Sequence, residues 1–362
     1  MTQNIKSQAP GRICLFGEHQ DYMNLPVIAA AIDLAIFIEG EVADGSEIHL
    51  DLLDMKRQVS FQIDNIQYED GRDYLKSSVN LLKRKRLFDN KHIAASIRGN
   101  IPIQAGTSSS SALVVAWLGF LLQAAAAPEK LAIPAIDVGE LAYLAEVVEF
   151  GESGGRMDQY TSAAGGIVHI DFSRNMKVTP LPYNDKVGQF VLGDSLQPKD
   201  TQKTLKRIRG GQEQGLKELR AFLPFTNNGD IDFEEARPHF GKISADARPY
   251  LEAVLENHTI TNEAKTALSR EKTDPGEIAA LMNRHHDILR GKLKISTPKI
   301  ETMIERSLAA GALSAKINGS GEGGCMFALC PGKQEEVAEA IRSAGGHAHI
   351  INIGPGLQTE AL

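Results

Sequence analysis

The amino-terminal third of the chain alternates short apolar runs with polar turns. The segments RICLFG, VIAAAIDLAIFIEG, EIHLDLL, VSFQI and HIAASI carry β-branched or alternating apolar residues, which is typical of strands. Between them, DYLKSSVNLLKRK has the apolar spacing of a helix. The pattern predicts a mostly antiparallel sheet backed by helices, which is an α+β arrangement.

Two more helices are predicted in the first half. Residues 112–127, ALVVAWLGFLLQAAAA, are apolar on nearly all sides, but the run is shorter than the ~20 residues that cross a bilayer. It therefore predicts a buried core helix. In IDVGELAYLAEVVEF, Leu141, Leu144 and Val148 share one helical face, and GIVHIDF returns to a strand.

The pattern changes after FVLGDS, residues 190–195. Residues 201–310 are polar, charged and helical in spacing, and the remaining residues predict a strand, strand, helix, strand order. A chain of 362 residues is long enough for two ordinary domains. We predict one domain over residues 1–190 and a second over residues 191–362.

Composition and charge narrow the class of protein. Hydrophobic residues are 42% and charged residues 23%, as in folded globular proteins, and the net charge of -7 argues against nucleic acid as a partner. The amino-terminal residues lack the charged-then-apolar order of a signal peptide. Cys14, Cys325 and Cys330 show no CxxC spacing. We expect a cytoplasmic protein with reduced thiols and no membrane partner; the oligomeric state stays open.

Two glycine-rich motifs indicate anion binding. In PIQAGTSSSSAL, residues 102–113, a glycine and a run of serines lead into the predicted core helix, whose first N–H groups and dipole suit a phosphate. The alternative is that the serines only cap the start of the helix, in a serine-rich loop that binds no ligand. In AKINGSGEGGC, residues 315–325, small residues between two strands permit close approach of a ligand, or they form a bulged hairpin turn. No GK[ST] follows the first glycine, so this is not a Walker loop.

Two further motifs carry polar side chains. APGRICLFGEHQDY, residues 9–22, places charged groups of both signs around a short apolar strand, which suits a polyhydroxylated ligand or a solvated turn. MDQY, residues 157–160, lies between GESGG and TSAAGG. Asp158 in this motif is either a turn former or a proton acceptor.

In this order and at these separations, the four motifs resemble those of the GHMP small-molecule kinases. The form GR-x₄-GEH-x-DY is similar to the galactokinase branch, and the resemblance spans roughly residues 8 to 330. It implies an amino-terminal domain like ribosomal protein S5 domain 2 and a ferredoxin-like carboxyl-terminal domain. It also implies ATP-dependent phosphoryl transfer, with Mg²⁺, to a small-molecule hydroxyl, most simply the anomeric hydroxyl of galactose or of another hexose or uronic acid.

The resemblance also implies roles for individual residues. Asp158 orients the acceptor hydroxyl or takes its proton, and Arg12 favours the ionised form of Asp158 and offsets charge on the moving phosphoryl group. Ser110 and Glu146 are the implied Mg²⁺ ligands. The implied phosphate-binding residues are Gly106, Ser108, Ser109, Ser110, Ser111, Gly319, Ser320, Gly321 and Gly323. The implied substrate-binding residues are Glu18, His19, Asp21 and Tyr22.

The chain departs from the galactokinase pattern beside the sugar motif. Gln20 replaces the usual Thr, and Met-Asn-Leu-Pro follows Tyr22 in place of Asn and a Gly pair. The sequence pattern does not locate the family's sugar-binding tyrosine of the second domain, and Asp194, Ser195 and Lys199 are candidate contacts at the rim. Two alternatives stay open: a kinase of the mevalonate branch, whose first motif usually reads PGK, and a sensor that binds ATP and sugar without turnover.

Overall fold

The computed structural model describes residues 2–69, 71–102, 106–125, 133–173, 176–184 and 187–362. The strands are β1 (Gln3–Phe16), β2 (Val27–Ala43), β3 (Glu47–Leu52), β4 (Arg57–Gln62), β5 (His92–Gly99), β6 (Ile167–Asp171), β7 (Lys177–Leu181), β8 (Phe190–Asp194), β9 (Ser314–Ile317), β10 (Cys325–Leu329), β11 (His347–Ile351) and β12 (Gln358–Ala361). The helices are α1 (Tyr74–Arg84), α2 (Ser109–Ala125), α3 (Ala135–Tyr143), α4 (Met157–Ala164), α5 (Thr201–Leu219), α6 (Phe233–Ala236), α7 (Arg248–Leu268), α8 (Pro275–Gly291), α9 (Pro298–Ala309) and α10 (Gln334–Ser343).

The first sheet has the strand order β12-β1-β2-β5-β3-β4, and β6 and β7 extend it from β2. Its pairs are antiparallel except for β3 and β5, which run parallel. Helix α2 packs on β1 and β2, and its Trp117 is fully buried and donates from Nε1 to the Leu75 carbonyl over 3.0 Å. The predicted α+β class and the buried core helix are confirmed, although residues 126 and 127 of that helix lie outside the described residues.

The second sheet has the order β11-β8-β10-β9 and is antiparallel throughout. Helices α8, α9 and α10 pack against it. It begins at Phe190, next to the predicted domain boundary. Strand β12 pairs with β1, so residues 358–361 belong to the first sheet and not, as the sequence suggested, to the second domain.

The two sheets share apolar core at the end of β1. Ile13, Leu15 and Phe16 of β1 are fully buried in the same cluster as Val191 and Leu192 of β8. The burial of these apolar side chains holds the end of β1 between the two sheets. This strand end carries the first polar motif. None of the helices in the described part of the chain has both the length and the apolar character that a membrane span requires.

Candidate active site

Residues from all four motifs meet in one cavity of about 840 Å³. This volume suits a small-molecule ligand. The cavity is lined by Arg12, Glu18, His19, Asp21 and Tyr22 of the first motif, by Gly106 and Ser108 to Ser111 of the serine loop, by Asp158, and by Gly319 and Ser320 of the second glycine loop. Three other residues singled out in the sequence also line the cavity: Glu146, Asp194 and Lys199.

Asp158 is held by Arg12. The Arg12 Nε and Nη2 groups each lie 2.8 Å from the same oxygen, Asp158 Oδ1. The second oxygen, Oδ2, has no hydrogen-bond partner among the residues that the structure describes. Arg12 is buried, whereas the Asp158 side chain is 30% exposed and lines the cavity. One oxygen is thus an anchor, and the other is free to accept a hydrogen bond from a ligand.

A second carboxylate, Asp21, lies at the start of helix α4. Its Oδ2 accepts from the Met157 N–H over 3.2 Å and its Oδ1 from the Tyr22 N–H over 3.0 Å. Burial and the nearby charge of Asp158 raise the pKa of Asp21 to about 6. The two carboxylates therefore form a negative wall on this side of the cavity at neutral pH.

The close approach of Asp21 to the backbone requires a glycine at position 155. A Cβ on Gly155 would overlap the Asp21 carboxylate, whereas a Cβ on Gly154 would find Val147 Cγ2 at an ordinary 3.7 Å. We expect Gly155→Ala to displace Asp21 and lower kcat/KM for the acceptor by about 10- to 100-fold, the scale of misplacing an active-site group by about 1 Å. Steady-state kinetics check this, with Gly154→Ala as the matched control. Equal activity of the two variants would contradict a role for the position of Asp21.

Glu18 is buried and has a partner within the protein. Its Oε1 accepts from Lys316 Nζ over 2.6 Å, and the two side chains are 1% and 0% exposed. Lys316 also donates to the carbonyls of Cys14 and Ile317, at 2.9 and 3.0 Å. Glu18 Oε2 has no hydrogen-bond partner in the described chain. The geometry therefore gives Glu18 a buried ion pair, while its contact with a substrate stays a prediction.

His19 links the first motif to the second glycine loop. Burial lowers the pKa of His19 to about 4, so the ring is neutral at physiological pH. Because the Ser320 carbonyl can only accept, His19 Nε2 donates to it over 3.2 Å, and Nδ1 accepts from the Tyr22 hydroxyl over 2.8 Å. Both ring nitrogens are used within the protein, so the structure favours a positioning role for His19.

The serine loop leads into helix α2 and meets the second glycine loop at Gly106. The Gly106 carbonyl accepts from Arg12 Nη1 over 2.6 Å and from Asn318 Nδ2 over 2.9 Å. A Cβ on Gly319 would lie 2.9 Å from the same carbonyl, so only glycine permits this approach. Ser108 has a φ of 60°, and its buried hydroxyl has no partner among the described residues. An unpaired hydroxyl beside the first N–H groups of a helix suits a bound anion.

Gly321 and Gly323 are placed differently from Gly319 and Ser320. They are absent from the cavity wall and pack against backbone: a Cβ on Gly321 would lie 2.8 Å from the Ile295 carbonyl, and one on Gly323 would lie 2.8 Å from the Pro198 carbonyl. Gly323 thus allows residues 197–199 to run along the loop, and Gly321 allows the loop to approach Ile295. Their direct contact with phosphate stays a prediction.

Glu146 lies in a π-helical turn, Leu144–Val148, that continues helix α3. Its Oε2 accepts from Gln159 Nε2 over 2.7 Å. Burial raises the pKa of Glu146 to about 7, and hydrogen bonds from Ser110, Ser111 and Gln159 oppose the shift. A carboxylate with serine hydroxyls beside the serine loop is the oxygen-rich donor set that Mg²⁺ takes, so Ser110 and Glu146 fit the implied ion.

Three features of the site were missed or misjudged from the sequence. Gln159 of the MDQY motif positions Glu146. Gln20 does not line the cavity; it is fully buried, and its Oε1 accepts from Thr261 of α7 over 3.2 Å. Ser195 is also absent from the cavity wall and donates to the Gly324 carbonyl over 2.6 Å. The one indication in the sequence that Gln159 belongs to the site was its position directly after Asp158.

A separate histidine cluster lies outside the cavity. Glu47, His49 and His92 have potential metal-ligand atoms within 4.8 Å of one another. His49 Nδ1 is hydrogen-bonded to Ser60 Oγ over 2.9 Å, and His49 Nε2 lies 3.1 Å from Glu47 Oε2. These contacts account for the cluster as a polar contact between neighbouring strands.

Comparisons with known proteins agree with the geometry. The family model described as GHMP kinases N terminal domain matches residues 73–166, GHMP kinases C terminal matches residues 264–347, and Galactokinase galactose-binding signature matches residues 2–41. A curated mevalonate kinase of Pyrococcus furiosus is 32% identical over 99% of both chains. A galactokinase of Thermococcus kodakarensis is 26% identical over 93% of both. The crystal structure of Lactococcus lactis galactokinase with galactose superposes with a TM-score of 0.83 at 20% identity, over 98% of this chain and 95% of that one.

Proposed function

The chain belongs to the GHMP kinase family, which implies an ATP-dependent kinase, and we propose that it phosphorylates a sugar at the anomeric hydroxyl, with galactose as the first candidate. The observation that carries the proposal is the pair Arg12 and Asp158. Asp158 Oδ1 is bound by the guanidinium, and Oδ2 is without a partner among the described residues of a cavity that all four motifs line.

The free Asp158 oxygen is the proton acceptor in this proposal. The acceptor hydroxyl donates a hydrogen bond to Oδ2, and its oxygen attacks the γ-phosphorus of ATP. A new oxygen–phosphorus bond forms while the bond from phosphorus to the oxygen of the leaving ADP breaks, and the hydroxyl proton passes to Asp158. Arg12 holds Asp158 in place and offsets negative charge on the phosphoryl oxygens.

The serine loop and the start of α2 bind the phosphates. The first N–H groups of α2 and the hydroxyls of Ser108 to Ser111 supply hydrogen-bond donors on one wall of the cavity. Ser110 and Glu146 would hold Mg²⁺, which neutralises phosphate charge when it is bound. Gln159 keeps the Glu146 carboxylate oriented through its 2.7 Å hydrogen bond.

The negative wall formed by Asp21 and Asp158 supports a neutral, hydroxyl-rich acceptor. Carboxylates accept hydrogen bonds from sugar hydroxyls, whereas a carboxylate on the acceptor would be repelled at this position. The match of residues 2–41 to a galactose-binding signature supports the same substrate class.

Mevalonate is the second candidate acceptor. Six curated mevalonate kinases are 29–32% identical over nearly the whole chain, whereas two curated galactokinases are 26% identical. Two features argue against mevalonate as the acceptor. Arg12 occupies a position where the mevalonate branch usually has lysine, and the Asp21 carboxylate would face the carboxylate of mevalonate.

ADP release with Mg·ATP and a panel of galactose, glucose, galacturonate and mevalonate tests the proposal. We expect turnover on a neutral hexose, with a product that has lost its reducing end and carries one phosphate by ³¹P NMR. Turnover on mevalonate alone would overturn the sugar assignment. Stabilisation of the protein by ATP and sugar, without ADP release, would identify a sensor instead.

A further inference from the structure

Lys199 is a cation of the cavity wall that has no partner among the residues that the structure describes. It is half-buried, lines the cavity, and forms no hydrogen bond or ion pair with any residue that the structure describes. Unpaired ammonium groups are costly to bury, because the protein replaces solvating water without supplying a counter-charge. A site that keeps such a group fits a ligand that supplies the missing anion.

The backbone around Lys199 is held against the second glycine loop. The Gly324 N–H donates to the Gln197 carbonyl over 3.1 Å, and the Ser195 N–H donates to the Gly324 carbonyl over 3.0 Å. These bonds direct the Lys199 side chain toward the serine loop, where a Cβ on Gly106 would lie 2.5 Å from Lys199 Nζ. The ammonium therefore lies against the loop expected to hold the phosphates.

The charges around Lys199 indicate where an anion would bind. Burial and, to a smaller extent, the positive charge of Arg12 lower the pKa of Lys199 to about 8, although the charges of Asp158 and Asp194 act in the opposite direction. Arg12 and Lys199 are thus two neighbouring cations, and the nearer oxygen of Asp158 is already bound to Arg12. An anion between the two cations would relieve their repulsion.

On the basis of the proposed function, we propose that Lys199 is a second catalytic cation, which contacts the phosphoryl group as it passes from ATP to the acceptor. The bond from the acceptor oxygen to phosphorus forms and the bond to the ADP oxygen breaks, while the proton goes to Asp158. Lys199 keeps its own proton and, with Arg12, neutralises charge on the transferring oxygens. A carboxylate of the acceptor is the less suitable anion, because Asp21 and Asp158 line the acceptor side.

The test compares Lys199→Met, Lys199→Arg and the control Lys206→Met, an exposed lysine of α5 outside the cavity. We expect Lys199→Met to lower kcat by about 10²- to 10³-fold, the effect of removing one donor to a developing charge, and Lys199→Arg to recover part of the loss. The KM for the acceptor should change by less than about threefold. A Lys199→Met variant with kcat near wild type, or with only the acceptor KM raised, would overturn the proposal.

Nucleotide binding gives a readout that does not depend on knowing the acceptor. We expect Lys199→Met to weaken the binding of the non-hydrolysable ATP analogue AMP-PNP by about 10-fold, which corresponds to one lost charged contact. Isothermal titration calorimetry measures this affinity. ADP, which lacks the γ-phosphate, should bind as in wild type. Equal losses for both nucleotides would overturn the role of Lys199. If wild type phosphorylates no sugar but the two nucleotides respond differently, the proposed function fails and the inference about Lys199 stands.

Discussion

Asp158→Asn should lower kcat by about 10²- to 10⁴-fold, because the amide cannot take the proton of the acceptor hydroxyl. The substitution is nearly isosteric, and the amide oxygen can still accept from Arg12 Nε at the position of Oδ1, 2.8 Å away. Binding of ATP and the folded structure should therefore change little. Rapid-quench kinetics at saturating ATP and acceptor measure the chemical step directly.

Asp137→Asn is the matched control for this variant. Asp137 lies in the first turn of α3 as Asp158 lies in the first turn of α4, but it is exposed and lies outside the cavity. Both substitutions remove one negative charge near a helix amino terminus, so their shared effect on stability cancels in the comparison. Retention of full activity by Asp158→Asn would exclude Asp158 as the proton acceptor.

Lys316→Met should destabilise the fold by about 3–5 kcal/mol, because it leaves a buried carboxylate without its cation. Lys316 uses its ammonium for Glu18 Oε1 and for two backbone carbonyls, and both charged side chains are essentially inaccessible to water. His285 cannot take over: its Nε2 lies 3.7 Å from Glu18 Oε2, and burial holds the pKa of His285 well below its usual value. The shift of the urea unfolding midpoint measures the loss.

Two comparisons separate the buried pair from an ordinary ion pair. Lys333→Met removes the partner of Glu336 from a pair whose side chains are each 52% exposed, and it should cost no more than about 1 kcal/mol. The double variant Glu18→Gln with Lys316→Met removes both charges and should recover part of the loss. If Lys316→Met and Lys333→Met unfolded at the same urea concentration, the buried pair would stabilise the fold no more than an exposed ion pair does.

Much of the fold and the set of site residues could be predicted from local pattern. Alternation of apolar and polar residues marks most strands of the first sheet, and the small-residue motifs mark the points where the backbone must approach a ligand. Helix α4 was missed, since glycines flank MDQYTSAA on both sides and its helical residues are few. Strand β12 was also missed, because QTEA has no apolar alternation and forms only by pairing with β1.

The ion-pair and hydrogen-bond partners of the charged residues could not be predicted from the sequence. Glu18 and Lys316 are 298 residues apart, and nothing near either residue indicates the other. Glu18 and His19 look like ligand-binding groups in sequence, yet each is paired within the protein. Lys199 looks like a rim residue in sequence, yet it lies against Gly106 of the serine loop and has no partner in the described part of the chain.

The sequence by itself determined the secondary structure of the first sheet, the helix that begins at the serine loop, and the kinds of chemical group available, because these depend on residues within one turn or one strand of each other. The tertiary structure alone decided which of those groups face the cavity and which face one another. Burial forces a charged group to find a counter-charge or hydrogen-bond partners, and those partners come from whichever distant segment the fold brings alongside. For that reason Glu18 is neutralised by Lys316, while Asp158 keeps one oxygen for a ligand.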